Sequence, residues 1–176
     1  MKKILPVFAA CALLSFPAIA AQPVQLSMPD LNLPAGNVEG ARVSLLYGKT
    51  ETVKGLDISL FGLSEINDFT GLSIDFFGAQ RVKNNFTGAS FSFINWHDNT
   101  GKGAVMGLVN YTKNNFKGLQ FGGFNYAGTL NGLQLGFVNA TEHINKGIQI
   151  GLINYDASGT FVSKDFPVFP IVNARF

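Results

Sequence analysis

Thiols are almost missing from this sequence. Cys11 is the one cysteine in 176 residues, and it lies inside an N-terminal apolar run. Loss of that run would leave a chain with no disulfide and no cysteine nucleophile. Histidine is nearly as scarce. His97 and His143 follow the glycines Gly88 and Gly132 by 9 and 11 residues, so no H-x-x-x-H or C-x-x-C spacing offers a metal site. Both are expected as solvated turn residues. Charged residues make up 14% of the chain and nowhere form a block, which gives no reason to expect nucleic acid as a partner. No helical periodicity appears, and so no Gly-rich phosphate loop opens a helix. No catalytic residue, metal ligand or small-molecule cofactor is expected.

The N-terminus reads as an export signal. Lys2 and Lys3 precede an apolar run from Ile4 to Ala20, interrupted by Ser15 and Pro17, and Ala18-Ile19-Ala20 places small residues where a signal peptidase reads. Residues 1–20 are therefore expected to be a signal peptide. The run is near the lower limit for a membrane span. It also continues well beyond Cys11, which argues against a lipoprotein cut there. Without Lys2 and Lys3 the remaining chain carries eleven charges of each sign. The expected location is the periplasm, outer membrane or cell surface of a Gram-negative bacterium.

What the sequence has in abundance is glycine, 20 residues, and phenylalanine, 17. The glycines mark a repeat. Gly40, Gly55, Gly71, Gly88, Gly103, Gly118, Gly132 and Gly147 are separated by 15, 16, 17, 15, 15, 14 and 15 residues. Each opens an alternating segment, clearest in GLQFGGFN (118–125), GLQLGFVN (132–139) and GIQIGLIN (147–154). Period 2 indicates half-buried strands. The apolar members, such as Leu56, Ile58 and Leu60 or Leu133, Leu135 and Phe137, are expected to point inward. The residues between them (Ser73, Ser90, Gln120, Gln134, Gln149) are expected outside. A further apolar residue stands two or three places before most anchor glycines: Val53, Phe69, Phe86, Phe116, Leu130 and Ile144.

One strand per 15 residues fits an all-β solenoid of about eight to nine coils. It also fits an antiparallel meander or a small outer-membrane β-barrel. The asparagines favour the solenoid. Asn95, Asn110, Asn125, Asn139 and Asn154 close five successive copies. Stacked coils would bring them into one ladder of amides, whereas a meander would scatter them between opposite ends of a sheet. The early copies put Tyr47, Gly62 and Gly78 at that place, so the ladder is expected only from the fourth copy onward. Residues 21–36 are expected to cap the N-terminal end, residues 37–160 to form the array, and residues 161–176 to cap the other end with a degenerate ninth copy.

The units GLQLGFVN and GIQIGLIN resemble the bacterial surface-repeat family first described from a spirochaete protein. The ending FPVFPIVN (166–173) resembles that of small exported gamma-proteobacterial proteins with the same repeat. The resemblance is specific from Gly88 to Asn173 and implies an envelope or surface location without an assigned activity.

Carboxylates are scattered. Asp57 is expected to form a surface ion pair with Arg42, and Asp75 to face solvent. A glycan-active solenoid enzyme would need such acids paired in a groove, a weaker reading than a non-enzymatic structural or binding module. For binding, the candidate stripe is Trp96, Tyr111, Phe124, Tyr126 and Tyr155, lying beside Ile94, Val109, Val138 and Ile153. Such a stripe suits an envelope protein, a glycan or a membrane surface.

Overall fold

The computed structural model describes residues 20–176. The expected leader, Ala20 excepted, and Cys11 lie outside the described residues. The chain is an all-β solenoid of about six turns, with coils of about 15 residues. Strand β1 (Gln22–Met28) is followed by β2 (Leu31–Leu33), β3 (Val38–Ser44), β4 (Tyr47–Phe91), β5 (Ile94–His97), β6 (Thr100–Asp156) and β7 (Val168–Arg175). The two long strands bend around several coils each, and the ladder of hydrogen bonds follows them.

Coil stacks on coil in parallel, one repeat apart. Gly40 pairs with Gly55, Gly88 with Gly103, and Asn95 with Asn110. This parallel register overturns the meander and barrel alternatives, both of which require neighbouring strands to run in opposite directions.

The anchor glycines form one column. Seven of the eight, Gly40 to Gly132, have φ between 129° and 151°, a region costly for any residue with a Cβ. A Cβ on Gly118 would also come within 1.9 Å of the Gly103 carbonyl oxygen. The coils are therefore aligned on one another by a backbone-to-backbone contact that only glycine permits.

The ends depart from the coil. β1 pairs parallel with β3 and is itself covered by the short antiparallel β2. At the other end β7 runs antiparallel to the last coil, with Ile150 opposite Val172 and Gly147 opposite Arg175. The ninth copy read from the sequence is thus a reversed capping strand. Pro170 within it cannot donate to a ladder. This accounts for part of the shortfall from eight or nine coils.

The sense of the alternation is the main correction. The residues expected outside are inside. Two places after each anchor glycine, Arg42, Asp57, Ser73, Ser90, Val105, Gln120, Gln134 and Gln149 are all fully buried. The apolar residues on either side of them face out. Phe137 and Leu152 are each 69% exposed, and Phe76, Phe91, Phe93, Leu108 and Ile150 are exposed as well. The apolar core is instead a narrow rib built from the residues just before the glycines: Val38, Val53, Phe69, Phe86, Phe116, Leu130 and Ile144, with Ile66, Val82, Val105 and Ala127. Phe69 and Phe86 stack there at 5.5 Å.

A candidate interaction surface and the polar interior behind it

The interior fixes the surface, because each inward amide defines which neighbours must point outward. Asn95 Nδ2 donates to Asn110 Oδ1 at 2.8 Å, Asn110 to Asn125 at 2.8 Å, Asn125 to Asn139 at 2.8 Å and Asn139 to Asn154 at 2.9 Å. The second hydrogen of the first four amides goes to the backbone carbonyl of Met106, Phe121, Leu135 or Ile150 in the next coil. Every amide of the column is fully buried, and paired buried amides avoid the penalty of lost hydration.

Glycine makes room for this column. A Cβ on Gly107, Gly122, Gly136 or Gly151 would lie 2.5–2.9 Å from the amide nitrogen of Asn95, Asn110, Asn125 or Asn139 in the coil before. A second amide column runs the opposite way. Gln134 Nε2 donates to Gln120 Oε1 at 2.7 Å and Gln149 to Gln134 at 2.8 Å. Asn173 of the capping strand donates to Gln149 Oε1 at 3.2 Å.

The first coils are filled differently. Arg42 Nε donates to Asp57 Oδ1 at 2.7 Å and Nη2 to Oδ2 at 3.1 Å, both residues being fully buried. Ser64 Oγ donates to Asp57 Oδ2 at 2.6 Å and also meets Arg42 Nη2. The pair expected on the surface is therefore an interior pair. Asp75 is interior too, and it accepts from Ser73 Oγ at 3.1 Å. Burial, and then the nearby Asp57 charge, push its carboxyl up to about 7. Gln80 pairs in register with Asn95, but neither of its amide atoms finds a hydrogen-bond partner. The amide ladder starts one coil later, at Asn95.

His97 is also a core residue, not a solvated one. Its ring stacks on Phe86 at 4.4 Å and lies parallel to Phe116 at 6.5 Å. Nδ1 pairs with Thr112 Oγ1 at 3.0 Å. Burial drives its pKa down to about 3, so the ring is neutral. His143 is half-buried beside Ser158 and Arg175.

Outward, the rows fall into an order across the coil. The row just before the anchor glycines comes first; Lys102, Lys117 and Lys146 stand exposed in it, after Thr70 and Thr87, while Lys54 pairs with Glu39 at 2.9 Å. Apolar rows follow, and between two of them lies a groove of about 1020 Å³. Gly107, Gly122, Gly136 and Gly151 contribute to its lining, together with Phe91, Phe121, Phe137 and Leu152. A stack of Phe61, Phe77 and Phe93, with rings 5.6 and 6.3 Å apart, runs along the corner.

Next comes the row of Ile94, Val109, Phe124, Val138 and Ile153, and after it the aromatic row. Trp96 stacks on Tyr111 at 4.2 Å and Tyr111 on Tyr126 at 5.0 Å. Ala140 interrupts this row before Tyr155. Beyond the aromatics the surface turns charged. Trp96 Nε1 donates to Asp98 Oδ1 at 2.7 Å, and Tyr126 OH to Glu142 Oε1 at 3.0 Å. The remaining arc is polar, with ion pairs such as Arg81–Asp98 at 2.8 Å and Lys83–Glu65 at 2.7 Å.

The candidate stripe thus borders a much wider apolar side. Phe61, Phe77, Phe93, Leu108, Phe137 and Leu152 belong to that side as well. Sequence reasoning assigned Phe93, Leu108, Phe137 and Leu152 to the core and gave Phe61 and Phe77 no place. Among the described residues no group of three or more His, Cys, Asp or Glu is arranged to hold a metal ion, and no helix is long and apolar enough to cross a membrane. No family model, no curated protein and no solved structure matches the chain.

Proposed function

We propose that this chain is a non-enzymatic, exported envelope module whose apolar side is a contact surface. The observation that carries the reading is the inverted alternation. A chain in water gains by hiding apolar area, by roughly 25 cal/mol for each Å². Here several rows of Phe, Leu and Ile stay outside while Gln, Asn and Ser fill the interior. Large contiguous apolar patches on a soluble surface mark sites that something else covers. The leader-like N-terminus (Lys2, Lys3 and Ile4–Ala20) and the resemblance to the bacterial surface-repeat family both support an envelope location.

Catalysis by paired acids has little support. Asp57 is engaged with Arg42 and Ser64 inside the coil, which leaves Asp75 to line the groove without a second carboxylate in that lining.

The test is cell fractionation of the full chain against a variant with Phe137→Ser and Leu152→Ser. The native chain is expected with the envelope and released by urea or alkaline carbonate. The variant, with unchanged circular dichroism, is expected free in the periplasm. Recovery of the native chain in the cytoplasm, or identical partitioning of the two, would overturn the reading.

A further inference from the structure

Resting on that reading, we infer that the apolar side seats on the surface of an anionic lipid bilayer. Its Phe, Leu and Ile rows enter the acyl boundary, and the lysine row meets the lipid phosphates.

Three observations carry this. The first is the order of rows. An apolar band is bordered on one side by Trp96, Tyr111, Tyr126 and Tyr155 and on the other by Lys102, Lys117 and Lys146. Indole and phenol groups favour the level of the headgroups, where one end is apolar and the other wet. Here the polar ends of Trp96 and Tyr126 point to Asp98 and Glu142, on the charged side of the row. Lysines reach headgroup phosphates from an apolar stem.

The second is the state of the backbone. Along this side the N–H and C=O groups are consumed in ladders between coils, as in Ala104 opposite Ala89 and Val109 opposite Ile94. An extended peptide laid in the groove would lose water from its own amides and find no backbone partners. An acyl chain has no such groups to satisfy.

The third is irregularity. The row just after the anchor glycine runs Ala41, Leu56, Leu72, Ala89, Ala104, Leu119, Leu133 and Ile148. The step down from leucine to two alanines and back leaves an uneven surface, which suits a fluid partner better than a fixed complementary one.

Trp96 is the only tryptophan and stands at the proposed waterline, so it reports docking directly. The chain is recovered after export, with its N-terminus sequenced to verify loss of the leader. It is then mixed with vesicles of equimolar phosphatidylcholine and phosphatidylglycerol. Flotation with the vesicles is expected, together with a blue shift of Trp96 emission and quenching by brominated lipid. High salt is expected to weaken binding. So is the triple variant Lys102→Glu, Lys117→Glu, Lys146→Glu, by on the order of a hundredfold in the lipid concentration needed. Circular dichroism checks that this variant folds.

Three results would overturn the inference: no flotation, flotation insensitive to both salt and the triple variant, or a stable dimer in sedimentation with Trp96 already shielded before lipid is added. The dimer would leave the contact-surface reading intact and assign the apolar side to a second copy. Absence of flotation from a chain that nevertheless fractionates with the envelope would point to an envelope protein.

Discussion

The first and last coils wind the same backbone around different interiors. From Gly118 to Gly147 the inward places hold glutamine and asparagine, and the spacings are 14 and 15. Each amide there bonds to its counterpart in the next coil, and glycine stands where the ladder needs room. From Gly40 to Gly88 the spacings are 15, 16 and 17. The glutamine places hold Arg42, Asp57 and Ser73 there, and the places taken later by Gly107, Gly122, Gly136 and Gly151 hold Ser44, Ser59 and Asp75. Ser44, Ser59, Asp75, Gln80 and Arg42 each keep at least one buried polar atom without a hydrogen-bond partner among the described residues. The contrast teaches that a parallel stack tolerates a polar interior in two ways. One is repetition, in which like pairs with like. The other is a local charge pair, Arg42 with Asp57 of the next coil, in which each partner needs one specific neighbour of opposite sign.

The sharpest test of the contrast is to remove one partner of the charge pair. Arg42→Gln leaves Asp57 buried without its cation and should cost about 3–5 kcal/mol in denaturant unfolding. Adding Asp57→Gln makes the early coils resemble the late ones and should restore most of the loss. If the double variant is no more stable than the single one, the two interiors are not interchangeable.

The amide ladder is the next target. Asn139→Ala orphans its neighbours Asn125 and Asn154 and should cost about 1–3 kcal/mol in the same measurement. An unchanged melting temperature would break the claim that the late coils depend on their amides.

Protonation should separate the halves with a smaller effect. The folded value of Asp75, about 7, lies above its ordinary 3.8. Its contribution to stability is whole below that ordinary value and is lost as pH climbs towards 7. His97, held near 3 against 6.5, behaves in reverse: its contribution is whole above 6.5 and is lost as pH falls. Between about pH 8 and about pH 6.5 only Asp75 of these two groups gains on acidification. The melting temperature should therefore rise by a few degrees across that window, and Asp75→Asn should abolish the rise. The control is Asn114, which donates to Asn99 at 2.8 Å on the exposed polar arc. Asn114→Ala should stay within about 0.5 kcal/mol.

Much of this architecture was legible in the residues. The glycine spacing gave the coil length, and five asparagines one coil apart argued for parallel stacking. What the alternation could not supply was its sense. Period 2 says that two faces differ, not which of them is inside, and an inversion moves every side chain at once. The usual preference for apolar interiors then chose the wrong face.

A signal against that choice was present in Gly107/Asn110, Gly122/Asn125, Gly136/Asn139 and Gly151/Asn154. A glycine kept three places before each asparagine, in a strand that would otherwise favour a side chain, implies a crowded inward neighbour. The burial of His97 was hidden for a different reason. The repeat at Gly101 lacks the large apolar residue found at Phe86 and Phe116, and the imidazole takes up the vacated space; a Cβ on Gly101 would lie 2.9 Å from its Nδ1. Asp57 and Asp75 were misplaced together with the face they share.

The reversed strand β7 also sets a limit on growth. A parallel stack is open-ended in principle, since each coil presents the template for the next, and that is how fibrils elongate. Here the last template is used up by a strand of opposite direction that contains a proline, while the three-residue β2 covers the first strand. Both ends of the described coils therefore present an edge that does not repeat the coil, which works against end-to-end seeding of one molecule by another.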